Sequence, residues 1–315
     1  MNNKTIYYSV LVFAIIASLI FGVFMTLSIS QSADSTITNI NAYSADKVKY
    51  FNLISLVFAI CLIVFILFTF FQKKKLGKSL KLSSVANRYA CLLGGAISSS
   101  VVLVSVISEI VSEPFIVGVS SSNDVDGFYR FVKYTALGKS YNFAYMGLVL
   151  IFALTAVYFF YCAFKSNKQN ITLAALSLFP VIAFAAKLIF DFLMQNSNGF
   201  GKLYNFHLLS LGFILLFFVN ETRFYIKKSA PALYVFFGLS AGVATAIYSL
   251  PIIILSITKV INVSSTNLMF SITDIVFVAY VYIRLFNLTK KPKHSADTYI
   301  TDTPELIDEI SDEKI

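Results

Sequence analysis

The chain has 315 residues, 57% of them apolar and only 13% charged, with a mean hydropathy of +0.77. A charged share about half that of an ordinary soluble domain argues against a water-soluble fold. The formal charge of +9 suggests a nucleic-acid partner only until its distribution is read, because the cations lie between apolar runs and gather on alternate sides of them.

Eight stretches each supply the roughly 20 apolar residues needed to cross a hydrocarbon core: 6–29, 50–71, 89–112, 142–165, 171–193, 204–226, 231–257 and 268–288. Continuous runs of this length predict helices, since barrel strands would alternate over about ten residues. The expected fold is all-α: one transmembrane bundle over 1–288 and a tail over 289–315. With the N-terminus inside, the inner side holds sixteen cations: Lys4, Lys73, Lys74, Lys75, Lys78, Lys81, Arg88, Lys165, Lys168, Arg223, Lys227, Lys228, Arg284, Lys290, Lys291 and Lys293. The outer side holds seven: Lys47, Lys49, Arg130, Lys133, Lys139, Lys202 and Lys259. That bias places both termini in the cytoplasm of a multi-pass cell-membrane protein.

The first span is longer than the apolar core of a signal peptide and reads as an uncleaved membrane helix. Residues 31–49, rich in Ser, Thr and Asn, form an outer loop. The second span is apolar all round and is expected to face lipid. The lysines that follow, Lys73 to Lys81, anchor the topology, and such a run also attracts anionic headgroups. In the third span Gly94, Ser98, Ser105, Glu109 and Ser112 recur at helical spacing, a small and polar stripe suited to close packing. Glu109 lies about 5 Å from the outer end.

The loop 113–141 contains GFYRFVKYTAL (127–137), whose apolar and basic residues separate onto two sides of a short surface helix. Asn123-Asp124-Val125-Asp126-Gly127 lacks the later glutamate of a calcium loop. Asn142 and Tyr145 open the fourth span. The fifth follows after 166–170, so the two form a hairpin. The fifth span carries Pro180, Lys187 and Asp191 within about 40° of one another, so a kink and two charges share a face. The sixth begins Tyr204-Asn205-Phe206-His207 and ends with Glu221 and Arg223, placed for a structural role near the inner interface.

Pro231 starts the seventh span at a position where its missing N–H does no harm. Gly238 and Gly242, with Ala246 one turn on, make the close-packing motif of membrane helices. Pro251 bends the same span and frees the Ile247 carbonyl. The eighth span carries Asp274 and, near its inner end, Arg284. The tail turns acidic. Asp302 and Glu305 stand at capping-box spacing around Pro304, and Leu306, Ile307 and Ile310 give a small apolar face for a cytoplasmic partner. Cys61, Cys91 and Cys162 all lie in spans and serve as small packing residues. The two halves show no inverted repeat of the secondary-transporter kind.

On this topology Glu109, Asn142, Tyr145, Lys187, Asp191, Asn205, His207 and Asp274 all fall in the outer third of the membrane. Lys187 and Asp274 stand at matching depth, each about 9 Å from the outer boundary. They are expected to pair between the fifth and eighth spans. Asp191 can share the lysine, and His207 can bond either acid. Ionisable groups at this depth are functional candidates, and a histidine beside them is a residue type whose charge small changes in field can switch. The expected function is a small-solute or ion-coupled permease with an outward-facing polar pocket. The alternatives are a membrane sensor or partner subunit docking a cytoplasmic protein through its tail, and an intramembrane enzyme of unrecognised type. No zincin, nucleophile-elbow or phosphate-loop motif is present. Asp191 and Asp274 lack the flanking glycines of an aspartyl dyad, so no enzyme, cofactor or metal is expected. The partners expected are the bilayer, a small solute or proton and a protein at the tail, with no nucleic acid.

Overall fold

The computed structural model describes residues 3–32, 50–74, 76, 79–80, 84–111, 133–136, 139–165, 171–198, 204–226, 228–260 and 265–289. The helices are α1 (Asn3–Ser32), α2 (Phe51–Gln72), α3 (Val85–Val111), α4 (Phe143–Lys165), α5 (Ile171–Leu176), α6 (Leu178–Asn198), α7 (Tyr204–Tyr225), α8 (Pro231–Ile257) and α9 (Ser265–Phe286). With α5 and α6 taken as one interrupted span, eight are long and apolar enough to cross a membrane. Leu19, Ile20, Leu56, Phe70, Leu150 and Ile189 are each more than half exposed. Large apolar side chains standing outward on so many helices suit lipid and not water, the pattern of a multi-pass membrane protein.

The bundle is built around α8. It packs against α7, α1, α9 and α2, and 72% of its apolar window is buried, against 28% for α2. The reason lies in its small residues. A Cβ at Gly242 would overlap the Tyr282 hydroxyl, and one at Gly238 would come within 2.9 Å of Leu285 Cδ1, so these glycines let α9 lie against α8. Tyr282 also meets Ser18 Oγ at 2.9 Å, which draws α1 into the same contact. The stripe on α3 is used likewise: Ser98 and Ser105 are buried, and Gly94 admits the Phe159 ring of α4.

The kink expected at Pro180 appears as a break at Ser177, between α5 and α6. Proline lacks the N–H that would bond the Leu176 carbonyl, and its ring crowds that carbonyl, so the distortion falls one turn before it. Thr222 of α7 covers the break: Ser177 Oγ donates to Thr222 Oγ1 at 3.0 Å, and Thr222 Oγ1 lies 3.3 Å from the Ser177 carbonyl.

Two short ribbons were not anticipated. β1 (Ser79–Leu80) pairs antiparallel with β4 (Leu288–Thr289), tying the segment after α2 to the end of α9. β2 (Lys133–Ala136) pairs antiparallel with β3 (Lys139–Asn142). The second ribbon corrects the surface helix expected over 127–137 where that stretch is described, at 133–136. Tyr134, Thr135 and Tyr141 favour extended backbone. Asn142 therefore ends a strand instead of opening the fourth span. Asn123–Gly127 and the tail beyond Thr289 lie outside the described residues.

Candidate functional site

Four ionisable side chains from three helices meet toward the end of the bundle away from Lys73, Lys74 and Lys228 (hereafter the far end, opposite the basic end). Lys187 and Asp191 stand one turn apart on α6, so both face inward together. Lys187 Nζ donates to Asp191 Oδ2 at 2.8 Å. From α7, His207 Nε2 lies 2.8 Å from the same oxygen and 3.3 Å from Lys187 Nζ. From α9, Asp274 Oδ2 lies 3.7 Å from His207 Nδ1. The imidazole is held between Tyr248 of α8, 4.6 Å away and tilted 32°, and Tyr204, 5.1 Å away. Lys187 Nζ sits 5.0 Å over the Phe270 ring, close enough for cation–π attraction.

The pairing differs from expectation. Lys187 and Asp274 reach one cluster, but the lysine's ion pair is with Asp191, and His207 is the group that faces Asp274. Two bare acceptors do not approach to 2.8 Å, so the network assigns a hydrogen to His207 Nε2, donated to Asp191. In the neutral ring Nδ1 would then be a bare acceptor opposite a carboxylate. One proton, on the ring or on the acid, removes that conflict. The separation is longer than a hydrogen bond, and neither oxygen of Asp274 has a hydrogen-bond partner among the described residues. Asp274 is fully buried, whereas the Asp191 side chain is 14% exposed and marks the open side. With a neutral imidazole, one lysine faces two carboxylates, leaving one negative charge uncompensated.

Buried hydroxyls of α8 extend this polarity. Ser240, Thr245 and Ser249 are fully buried and have no hydrogen-bond partner among the described residues. Unsatisfied groups of this kind are uncommon in a packed core. Of the other expected site residues, Asn205 is exposed and lines an outward groove with Leu208, Leu209 and Gly212. Glu109 lies in α3, Asn142 at the end of β3 and Tyr145 in the first turn of α4; their side chains lie outside the described residues. Pro251 stands in α8 one turn beyond Tyr248. No group of three His, Cys, Asp or Glu residues among those described is placed to hold a metal ion.

A second ionic cluster lies toward the basic end, and the sequence pointed to it only in part. Arg284 of α9 is fully buried, and its Nη2 pairs with Glu221 Oε1 of α7 at 2.5 Å. The same carboxylate oxygen accepts hydrogen bonds from Tyr280 (2.7 Å), Tyr225 (3.0 Å) and Tyr158 (3.1 Å). Arg284 also donates to Tyr280 Oη at 2.7 Å, to Tyr225 Oη and to Asn87 Oδ1. Of this cluster's atoms, Glu221 Oε2 lacks a hydrogen-bond partner among the described residues. The available signal was local: Tyr225 and Tyr280 stand one turn from Glu221 and Arg284, on the same helix faces. Arg223, expected near the same interface, is exposed and bonds the Lys228 carbonyl. Beside this cluster Cys91 of α3 and Cys162 of α4 bring their sulfurs to 3.2 Å.

The chain has no match among protein-family models, curated proteins or solved structures. Its function has to be argued from these two clusters.

Proposed function

We propose that the chain is a multi-pass protein of the cell membrane, a carrier and not an enzyme, that couples movement of a small polar solute to a proton held by Asp274 and His207. The observation that carries this reading is the Asp274 carboxylate. It is buried, without a hydrogen-bond donor among the described residues, and faces His207 Nδ1 at 3.7 Å. An uncompensated carboxylate in such a place costs several kcal/mol, so it is poor structural glue. It is well suited to a group that takes up a proton in one state and releases it in another.

The remaining parts fit this role. Lys187 and Asp191 supply one charge of each sign beside the proton site, and Asp191 stands at its exposed edge. The unpaired hydroxyls of Thr245 and Ser249 offer bonding groups deeper along α8. Breaks in membrane helices are tolerated where they border a cavity. Pro251 stands one turn beyond Tyr248, which packs on His207, while the interruption at Ser177 lies about 15 Å nearer the basic end on the span that carries Lys187. The orientation rule puts the basic end in the cytoplasm, so the site opens outward.

The test is proton movement in vesicles that hold the purified chain and a trapped pH dye, challenged with a panel of small polar solutes. At least one solute should drive proton movement, and Asp274→Asn should abolish it in protein that still purifies as a folded species. Solute uptake that moves no protons and is untouched by Asp274→Asn would sink the proposal.

A further inference from the structure

At the basic end a groove of about 830 Å³ opens between the end of α2 and the start of α8. Its walls are apolar, formed by Ile66 and Phe70 on one side and Leu233, Phe236 and Phe237 on the other. Its mouth is cationic. Lys73 and Lys74 stand there exposed, and neither has an ion pair among the described residues. Among the described residues no acidic side chain lines the groove. The first turn of α8 borders the same mouth with no acidic residue and no side-chain cap on its free N–H groups. Apolar walls beneath two unpaired lysines are the chemistry of an amphiphile with an anionic head.

We infer that this groove binds one anionic phospholipid, with an acyl chain against Phe70, Leu233, Phe236 and Phe237 and its phosphate at Lys73 and Lys74. Charge complementarity selects the occupant. A solute carrier site would need polar groups within the walls, whereas the walls hold almost none. A zwitterionic lipid would bring its own cation to the lysines. The location also gives the lipid a task. Among its helix neighbours, α2 rests mainly on α8 and is the most exposed of the eight spans, so a lipid wedged between their ends holds α2 against the centre of the bundle.

The experiment is native mass spectrometry of the full chain in a neutral detergent, with equimolar phosphatidylglycerol and phosphatidylcholine. The wild type should retain one phosphatidylglycerol in preference to phosphatidylcholine. Replacing both lysines, Lys73→Gln with Lys74→Gln, should weaken that retention about thirtyfold, from about a factor of five per cation. Ala232→Trp fills the groove and leaves both lysines in place; it should also displace the lipid. Equal retention of the two lipids, or retention indifferent to the lysine pair, overturns the assignment. Retention that survives Ala232→Trp reduces the lysines to a general charged surface and overturns the groove. A lipid-free dimer would show that a second copy of the chain covers this face. Displacement of the lipid by millimolar inorganic phosphate would show that the headgroup alone is recognised, against the role given to the acyl chain.

Discussion

Two buried ionic clusters share the helices α7 and α9, about 15 Å apart along α9, and they are finished to different degrees. At the basic end one carboxylate faces one guanidinium, and three tyrosine hydroxyls and an asparagine take up most of the remaining donors and acceptors, leaving only Glu221 Oε2 of this cluster without a partner among the described residues. Toward the far end one lysine faces two carboxylates, and the deeper of these has no hydrogen-bond donor among the described residues. The first arrangement returns much of the desolvation cost through short, charge-assisted bonds. The second leaves part of that cost standing. Closure of this kind suits a lock between helices, and the open cluster is the one to which the proposed proton coupling is assigned.

The contrast can be broken by substitution, and the largest effect is expected at the closed cluster. Arg284→Met strands Glu221 in the core and should lower stability by about 3–5 kcal/mol. The double variant Glu221→Gln, Arg284→Met should regain much of that loss. Thermal unfolding of the detergent-purified protein reads both, and a single substitution with no more effect than a surface change would erase the distinction. Next comes Gly242→Ala, which pushes Tyr282 and with it α9 away from α8. Since both clusters depend on α9, it should cost about 1–3 kcal/mol and impair any activity together with stability. Smallest in stability is Asp274→Asn. Removing a carboxylate that no hydrogen bond holds among the described residues should change stability by less than about 1 kcal/mol, or raise it, while proton coupling disappears. A Tm drop as large as that of Arg284→Met would make Asp274 a structural group and sharpen the comparison in the opposite sense.

The spans were legible because twenty-residue apolar runs leave little choice of element. Predicted 204–226 and 231–257 became Tyr204–Tyr225 and Pro231–Ile257. Lys187, Asp191 and His207 could also be brought together from sequence, since spacing along a helix gives height and face. Height does not give azimuth between helices, which is why Lys187 was matched with Asp274 when the intervening imidazole belongs there. For Glu221 and Arg284 height alone misleads. Both lie near helix ends, where a charged side chain usually escapes to water. Their burial depends on tyrosines from three helices closing over them, a tertiary event with only a faint local trace. The ribbon of 133–136 and 139–142 was missed because Arg130 and Lys133, three residues apart among aromatic residues, satisfy a helical wheel.

The covered break at Ser177 has a mechanical consequence. Thr222, which bridges to it, is the next residue after Glu221, so one turn of α7 grips both the interruption in the fifth span and the salt bridge to α9. If α6 swings about that interruption, carrying Lys187 and Asp191 with it, the strain arrives first at the threonine clasp, one peptide from the ion pair. Such a swing at one end of the bundle would then pull on the fastening at the other. Thr222→Val would uncouple them by removing a single hydroxyl.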